Sequence, residues 1–136
     1  METFTHRAMG LTEEKPLVFT AMSKHLFYFR AYIVKYVLSQ GSVPVNPFMS
    51  FDYFLLDTVD RDLVRAGNNT LLRRCDELWV FGPVSDGVLA EIKMARTLGM
   101  PVKYFEIRDS KDILPVPHDR IEMEPDVETY RNDLFN

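Results

Sequence analysis

The sequence predicts an α/β domain: a mostly parallel sheet of four to five strands with helices on both faces. Three observations predict it. Short apolar runs rich in strand formers alternate four times with stretches of helical spacing. The first run, 16–21, is apolar almost throughout, as in a strand buried on both faces. Gly41 and Gly99 stand just past the ends of helical stretches, where a glycine closes a helix.

The elements follow in order. Residues 1–15 are polar and aperiodic and are read as a partly ordered tail; 16–108 form the core; 109–136 form a C-terminal extension. After the first strand, Met22-Ser23 turns into a helix over 24–40 with Leu26, Phe29, Ile33 and Val37 inward. Residues 42–45 are a short or edge strand, because Pro44 has no N–H to give a ladder. Residues 51–57 form a short aromatic helix or lid. A helix over 60–74 carries Leu63, Val64, Leu71 and Leu72 inward, and Gly67-Asn68-Asn69 is expected to bend or loosen it. Residues 102–107 are the fourth strand. Beyond Asp109 the pattern fades into a Pro115/Pro117 linker, with a terminal helix over 125–135 that folds back or reaches a neighbour.

Residues 75–92 organise the chain. They read as strand, tight loop and helix, with Leu78 to Phe81 as the apolar run and Gly82-Pro83 ending it. Ser85 or Asp86 is a natural N-cap, and Gly87 leaves its backbone open to a ligand. Val88, Ile92, Ala95 and Leu98 recur at helical spacing. Glu91 lies about 100° from Ile92 and about 40° from Ala95 around such a helix. It stands at the border of the buried face, either solvated or facing a cleft.

In an open α/β sheet the ligand crevice lies outside the carboxyl ends of the strands. That puts Thr20, Ala21, Met22, Ser23, Asn46, Pro47, Phe48, Gly82, Ser85, Asp86 and Gly87 on one rim, with Glu91 close by. The free N–H groups of the helix after Gly82 suit an anion.

Composition excludes several classes. The chain has 136 residues, a net charge of −4 and scattered basic residues, so no nucleic-acid footprint is expected. No apolar run approaches a membrane span and no signal-peptide h-region opens the chain, so a soluble cytoplasmic protein is expected. Cys75 is the only cysteine and is read as a small buried hydrophobe. His6, His25 and His118 show no ligand spacing, so no metal is expected. His25 is read as capping or solvent-facing rather than crevice-lining. Tyr28, Phe48, Phe51, Tyr53 and Phe54 offer stacking surfaces for a base or, more ordinarily, core. Arg61 is a bidentate phosphate partner or a salt bridge to Asp57 or Asp60. Asp76 and Trp79 are read as structural.

At these residues the chain resembles the nucleoside 2-deoxyribosyltransferase superfamily, and within it an uncharacterised bacterial and phage branch. The resemblance runs from Leu17 to Phe105. It rests on the small-residue loop after the first strand, Gly41 to Pro47 with its Pro-x-Asn-Pro, Arg61, residues 75–82, and Ser85-Asp86-Gly87 leading to Glu91 in a Gly-x-x-x-Glu spacing. It implies a flavodoxin/Rossmann-like three-layer sandwich, a homo-oligomer, no cofactor, and cleavage or transfer at the N-glycosidic bond of a (deoxy)nucleoside or its monophosphate. Glu91 matches the family's nucleophile, a role suited to a carboxylate facing an oxocarbenium-like centre. Ser23, Ser85 and the Gly87 backbone match a phosphate site, and Asn68-Asn69 match an Asn-Asn-like pair, with Asn69 counted among the substrate-binding residues. The family's assisting aspartate falls on Thr70, which cannot act as an acid at neutral pH. A non-catalytic nucleotide-binding module on the same fold is therefore the alternative. A relation to the cytokinin-activating phosphoribohydrolases is disfavoured, because their Pro-Gly-Gly is missing.

Overall fold

A computed structural model describes residues 2–51, 58–109 and 111–135. The expected lid over 51–57 and the rings of Tyr53 and Phe54 lie outside the described residues, Phe51 excepted. So does Asp57, one of the two acids expected to pair Arg61.

Five strands form one sheet: β1 (Leu17–Met22), β2 (Val43–Val45), β3 (Glu77–Phe81), β4 (Val102–Arg108) and β5 (Asp112–Pro115). Their order is β2-β1-β3-β4-β5. The first four are parallel, and β5 returns antiparallel to β4. The fold is therefore α/β with a mixed, mostly parallel sheet, and β2 is the short edge strand that Pro44 called for.

Successive side chains of a strand point to opposite faces, and this chain fills both with apolar groups. Phe19, Ala21, Leu78, Val80 and Tyr104 pack with Leu72 of α3 (Arg61–Arg74) and with Val88, Leu89, Ile92 and Ala95 of α4 (Asp86–Thr97). Val18, Met22, Trp79, Phe81 and Phe105 pack with Leu26, and with Ile33 and Val37 of α1 (Arg30–Ser39). Both faces being covered explains why β1, Thr20 aside, and Leu78 to Phe81 of β3 read as apolar runs. Cys75 and Trp79 are buried in these clusters. Asp76 is structural: its carboxylate accepts the Leu17 N–H at 2.8 Å, and its own N–H donates to the Leu17 carbonyl.

Several expectations are corrected. The single helix over 24–40 is a 3-10 helix, Lys24–Phe29, running into α1. Its three consecutive aromatics are weaker helix formers, and Arg30 folds back to donate to the Phe27 carbonyl, so the first turns tighten. Gly41 does close the segment, with φ +84°. The helix over 60–74 is not interrupted at Gly67; α3 runs through it from an Asp60 cap. Gly67 instead makes room for the Phe51 ring, whose Cζ lies 2.9 Å from where a Cβ would stand. Leu63 is 68 % exposed and Leu98 sits exposed at the end of α4, so neither is core.

The C-terminal extension folds back onto the same domain. After β5, residues 120–124 form a strap. Val84 donates to the Glu122 carbonyl at 2.8 Å and accepts from the Glu124 N–H at 2.8 Å. A 3-10 helix, Pro125–Phe135, then buries Val127 and Leu134 in the α3/α4 cluster.

Candidate functional site

The carboxyl ends of β1 and β3 lie side by side, with Met22 opposite Phe81. On one side of this pair stands β2 and on the other β4, so the winding reverses here, at the place where open α/β sheets form their crevice.

The β1 side is tightly built. The buried Thr20 hydroxyl donates to the Val45 carbonyl at 3.3 Å, tying β1 to β2. Ala21 and Met22 are core side chains. Asn46 is buried; its Oδ1 accepts the Phe48 N–H at 3.0 Å, and its Nδ2 lies 3.5 Å from the Met22 sulfur. Asn46 thereby caps α2 (Pro47–Ser50), with Pro47 in the first turn. Phe48 meets Phe27 edge to face at 5.9 Å. Ser23 is 2 % exposed, and its hydroxyl donates to Glu124 Oε2 at 2.7 Å.

On the β3 side the loop mostly satisfies itself. Ser85 Oγ accepts the Val88 N–H at 3.3 Å and Asp86 Oδ1 accepts the Gly87 N–H at 2.8 Å. Gly87 is exposed, with open space where a Cβ would be. Gly82 is the reverse: a Cβ there would stand 2.7 Å from Ile121 Cδ1, so its bare face is already occupied by the strap.

Glu91 lies in the second turn of α4. Its Oε2 accepts from Asn68 Nδ2 of α3 at 2.8 Å. Burial pushes the carboxyl up to about 7, against the opposing pull of the Asn68 hydrogen bond. The residue keeps a partly exposed surface, while the carboxyl itself is desolvated beside Asn68. An acid that titrates near neutrality can take or give a proton, or attack when ionised.

The pair member that meets Glu91 is Asn68; Asn69 is half-buried beside it. A signal for this was present, since Asn68 is one helical turn before Leu72 and shares its inward face. Thr70 is exposed, and its hydroxyl donates to the Ala66 carbonyl of its own helix at 2.8 Å. Arg61 is exposed at the start of α3. Glu124 had no local signal, because it reaches the rim from about a hundred residues away in sequence.

A recess of about 470 Å³ lies elsewhere, lined by Tyr36, Trp79, Lys103, Tyr104, Pro115 and His118 among others, and includes none of the rim residues. This recess and the titratable Glu91 site do not coincide, and the titratable site is the better guide to chemistry. Among those residues no group of three or more His, Cys, Asp or Glu is placed to hold a metal ion. Among the described residues no helix is long and apolar enough to cross a membrane.

A model of a domain of unknown function, DUF7768, matches residues 19–105. The match runs from β1 to β4 and includes Asn68 and Glu91, while the strap lies beyond it. No curated protein matches the chain.

Proposed function

The chain belongs to the DUF7768 family, a domain of unknown function, and we propose that it cleaves or transfers at the N-glycosidic bond of a (deoxy)nucleoside or nucleoside monophosphate, with Glu91 as nucleophile. The observation that carries this reading is the Asn68–Glu91 contact: a desolvated carboxyl held at one oxygen, Oε2, by an amide N–H at 2.8 Å. A fixed, poorly hydrated carboxylate is a stronger nucleophile toward an anomeric carbon than a solvated one. Oε1 is the oxygen that attacks. The covalent glycosyl ester then passes to water or to an acceptor base, as in retaining glycosidases.

The reading takes the sheet and its helices as a flavodoxin/Rossmann-like three-layer sandwich, acting as a cytoplasmic homo-oligomer on a small-molecule substrate with no cofactor. Ser85, Asp86 and the open Gly87 backbone border the sugar or phosphate side, with Asn46, Pro47 and Phe48 on the far side of β1 at the end of β2.

The test is a panel of ribo- and deoxynucleosides and their 5′-monophosphates incubated with the wild type and Glu91→Gln, with free base followed by chromatography. Base release by the wild type, lost in Glu91→Gln, supports the reading. Full activity in Glu91→Gln overturns the nucleophile assignment. One observation favours a second reading, a non-catalytic nucleotide-binding module: Thr70 turns back onto its own helix and offers Glu91 no second acid. Thermal stabilisation by a nucleotide without base release would favour it.

A further inference from the structure

The N-glycosidic reading needs a proton for the departing base, and nothing on α3 supplies it. A second titratable cluster stands past the end of β1. His25 Nδ1 lies 2.9 Å from Glu124 Oε2, the oxygen that also receives the Ser23 hydroxyl at 2.7 Å. Ser23 Oγ in turn accepts the His25 N–H at 3.2 Å and lies 3.3 Å from His25 Nδ1.

This is more than a surface ion pair. Glu124 is placed by the strap backbone, through both hydrogen bonds of Val84 and the seat of Ile121 on Gly82. Burial alone would raise its carboxyl. The hydrogen bonds from His25 and Ser23 and the nearby charges of His25 and Lys24 outweigh this, so it lies below the usual carboxylate range. Glu124 is therefore an anion that holds one imidazole nitrogen. The His25 side chain is 68 % exposed, and its Nε2 is the nitrogen turned away from that anchor. A carboxylate on Nδ1 fixes the ring so that Nε2 handles protons.

Position agrees with this role. His25 lies three residues past Met22, and Glu91 lies in the second turn of the helix that follows Phe81; Met22 and Phe81 are paired across β1 and β3. His25 thus follows the carboxyl end of β1, and Glu91 belongs to the helix that leaves the carboxyl end of its neighbour β3.

We infer that His25, positioned by Glu124, is the general acid that protonates the departing base; the inference rests on the N-glycosidic reading above. The step balances. The C1′–N bond breaks and its electron pair goes to the base nitrogen, which takes the proton from His25 Nε2, while a Glu91 oxygen bonds to C1′. Water then attacks C1′, the bond to Glu91 breaks, and the water's proton returns to His25 Nε2. Glu124 is a positioning residue, supplied by chain outside the matched family domain.

The test compares the wild type, Glu91→Gln, His25→Gln and Glu124→Gln on deoxynucleosides and on 4-nitrophenyl 2-deoxyribofuranoside, whose nitrophenolate leaves without a proton. Thermal unfolding is followed in parallel to establish that each variant is folded. Glu91→Gln should lose both reactions. His25→Gln should lose base release by about 100-fold or more and keep nitrophenolate release within about threefold, the range expected of a lost general acid. Glu124→Gln should show the same selectivity with a smaller loss. Equal losses on both substrates, or unchanged base release, in His25→Gln would overturn the inference and leave the N-glycosidic reading standing. A wild type that releases neither base nor nitrophenolate overturns the reading and the inference together.

Discussion

Asn68 of α3 donates to Glu91 of α4 at 2.8 Å, and this one hydrogen bond joins two helices across an acid that titrates near neutrality. The bond favours the ionised carboxylate while the surrounding protein disfavours it, and burial wins.

That balance makes stability depend on pH. Glu91 is raised from 4.5 to about 7 on folding, so the folded state holds its proton more tightly. Between those values the unfolded chain loses the proton first, and stability falls as pH rises through the window. Glu91→Gln removes the titration. The variant should be more stable than the wild type at pH 8, by roughly 2 kcal/mol after allowing for the residue's partial exposure, since each pKa unit is worth about 1.4 kcal/mol. The difference should vanish toward pH 4. Chemical unfolding at several pH values measures it, and a constant difference across the range would contradict the titration.

Asn68→Ala should move Glu91 in the same direction. Losing the donor removes the lowering influence, so the carboxyl should titrate above about 7. Carbon-detected NMR titration of the Glu91 carboxyl reads this directly. A downward shift would mean that water entering the vacated space matters more than the lost bond.

Gly82 and Ile121 should behave as a coupled pair. A Cβ at Gly82 would approach Ile121 Cδ1 to 2.7 Å and Cγ1 to 3.1 Å. Gly82→Ala should cost about 1–3 kcal/mol as overpacking. In Ile121→Ala the space is open, and the same substitution should cost little. A double-mutant cycle checks the coupling, and additive effects would show that the strap yields freely.

Cys75 should be unreactive in the folded protein. Burial, aided by the neighbouring Asp76 charge, pushes its thiol up to about 11, so little thiolate exists at neutral pH. Alkylation by iodoacetamide at pH 7.5 should proceed only as fast as the chain opens. Rapid modification under native conditions would mean that the end of α3 is loosely held.

The sequence by itself determined the alternation of strands and helices, the edge position of β2 through Pro44, a helix cap at Ser85 or Asp86, of which the structure uses Ser85, and the placing of Glu91 in the helix after β3. Each depends on local chemistry: side-chain periodicity, a missing N–H, or a hydroxyl reaching a nearby N–H. The resemblance singled out Glu91, but not that Asn68 holds it or that burial shifts it, because both depend on how α3 packs on α4. Gly67 looked like a helix breaker and is a seat for Phe51; local propensity yields when a ring needs the space. Only the tertiary structure decided where the C-terminal extension goes. Its aperiodic, proline-marked sequence carries no register, so β5, the Val84 contacts and the Ser23–Glu124–His25 cluster appear only when distant chain closes over the sheet. Non-local packing and desolvation set those contacts, and neither can be read from neighbours in sequence.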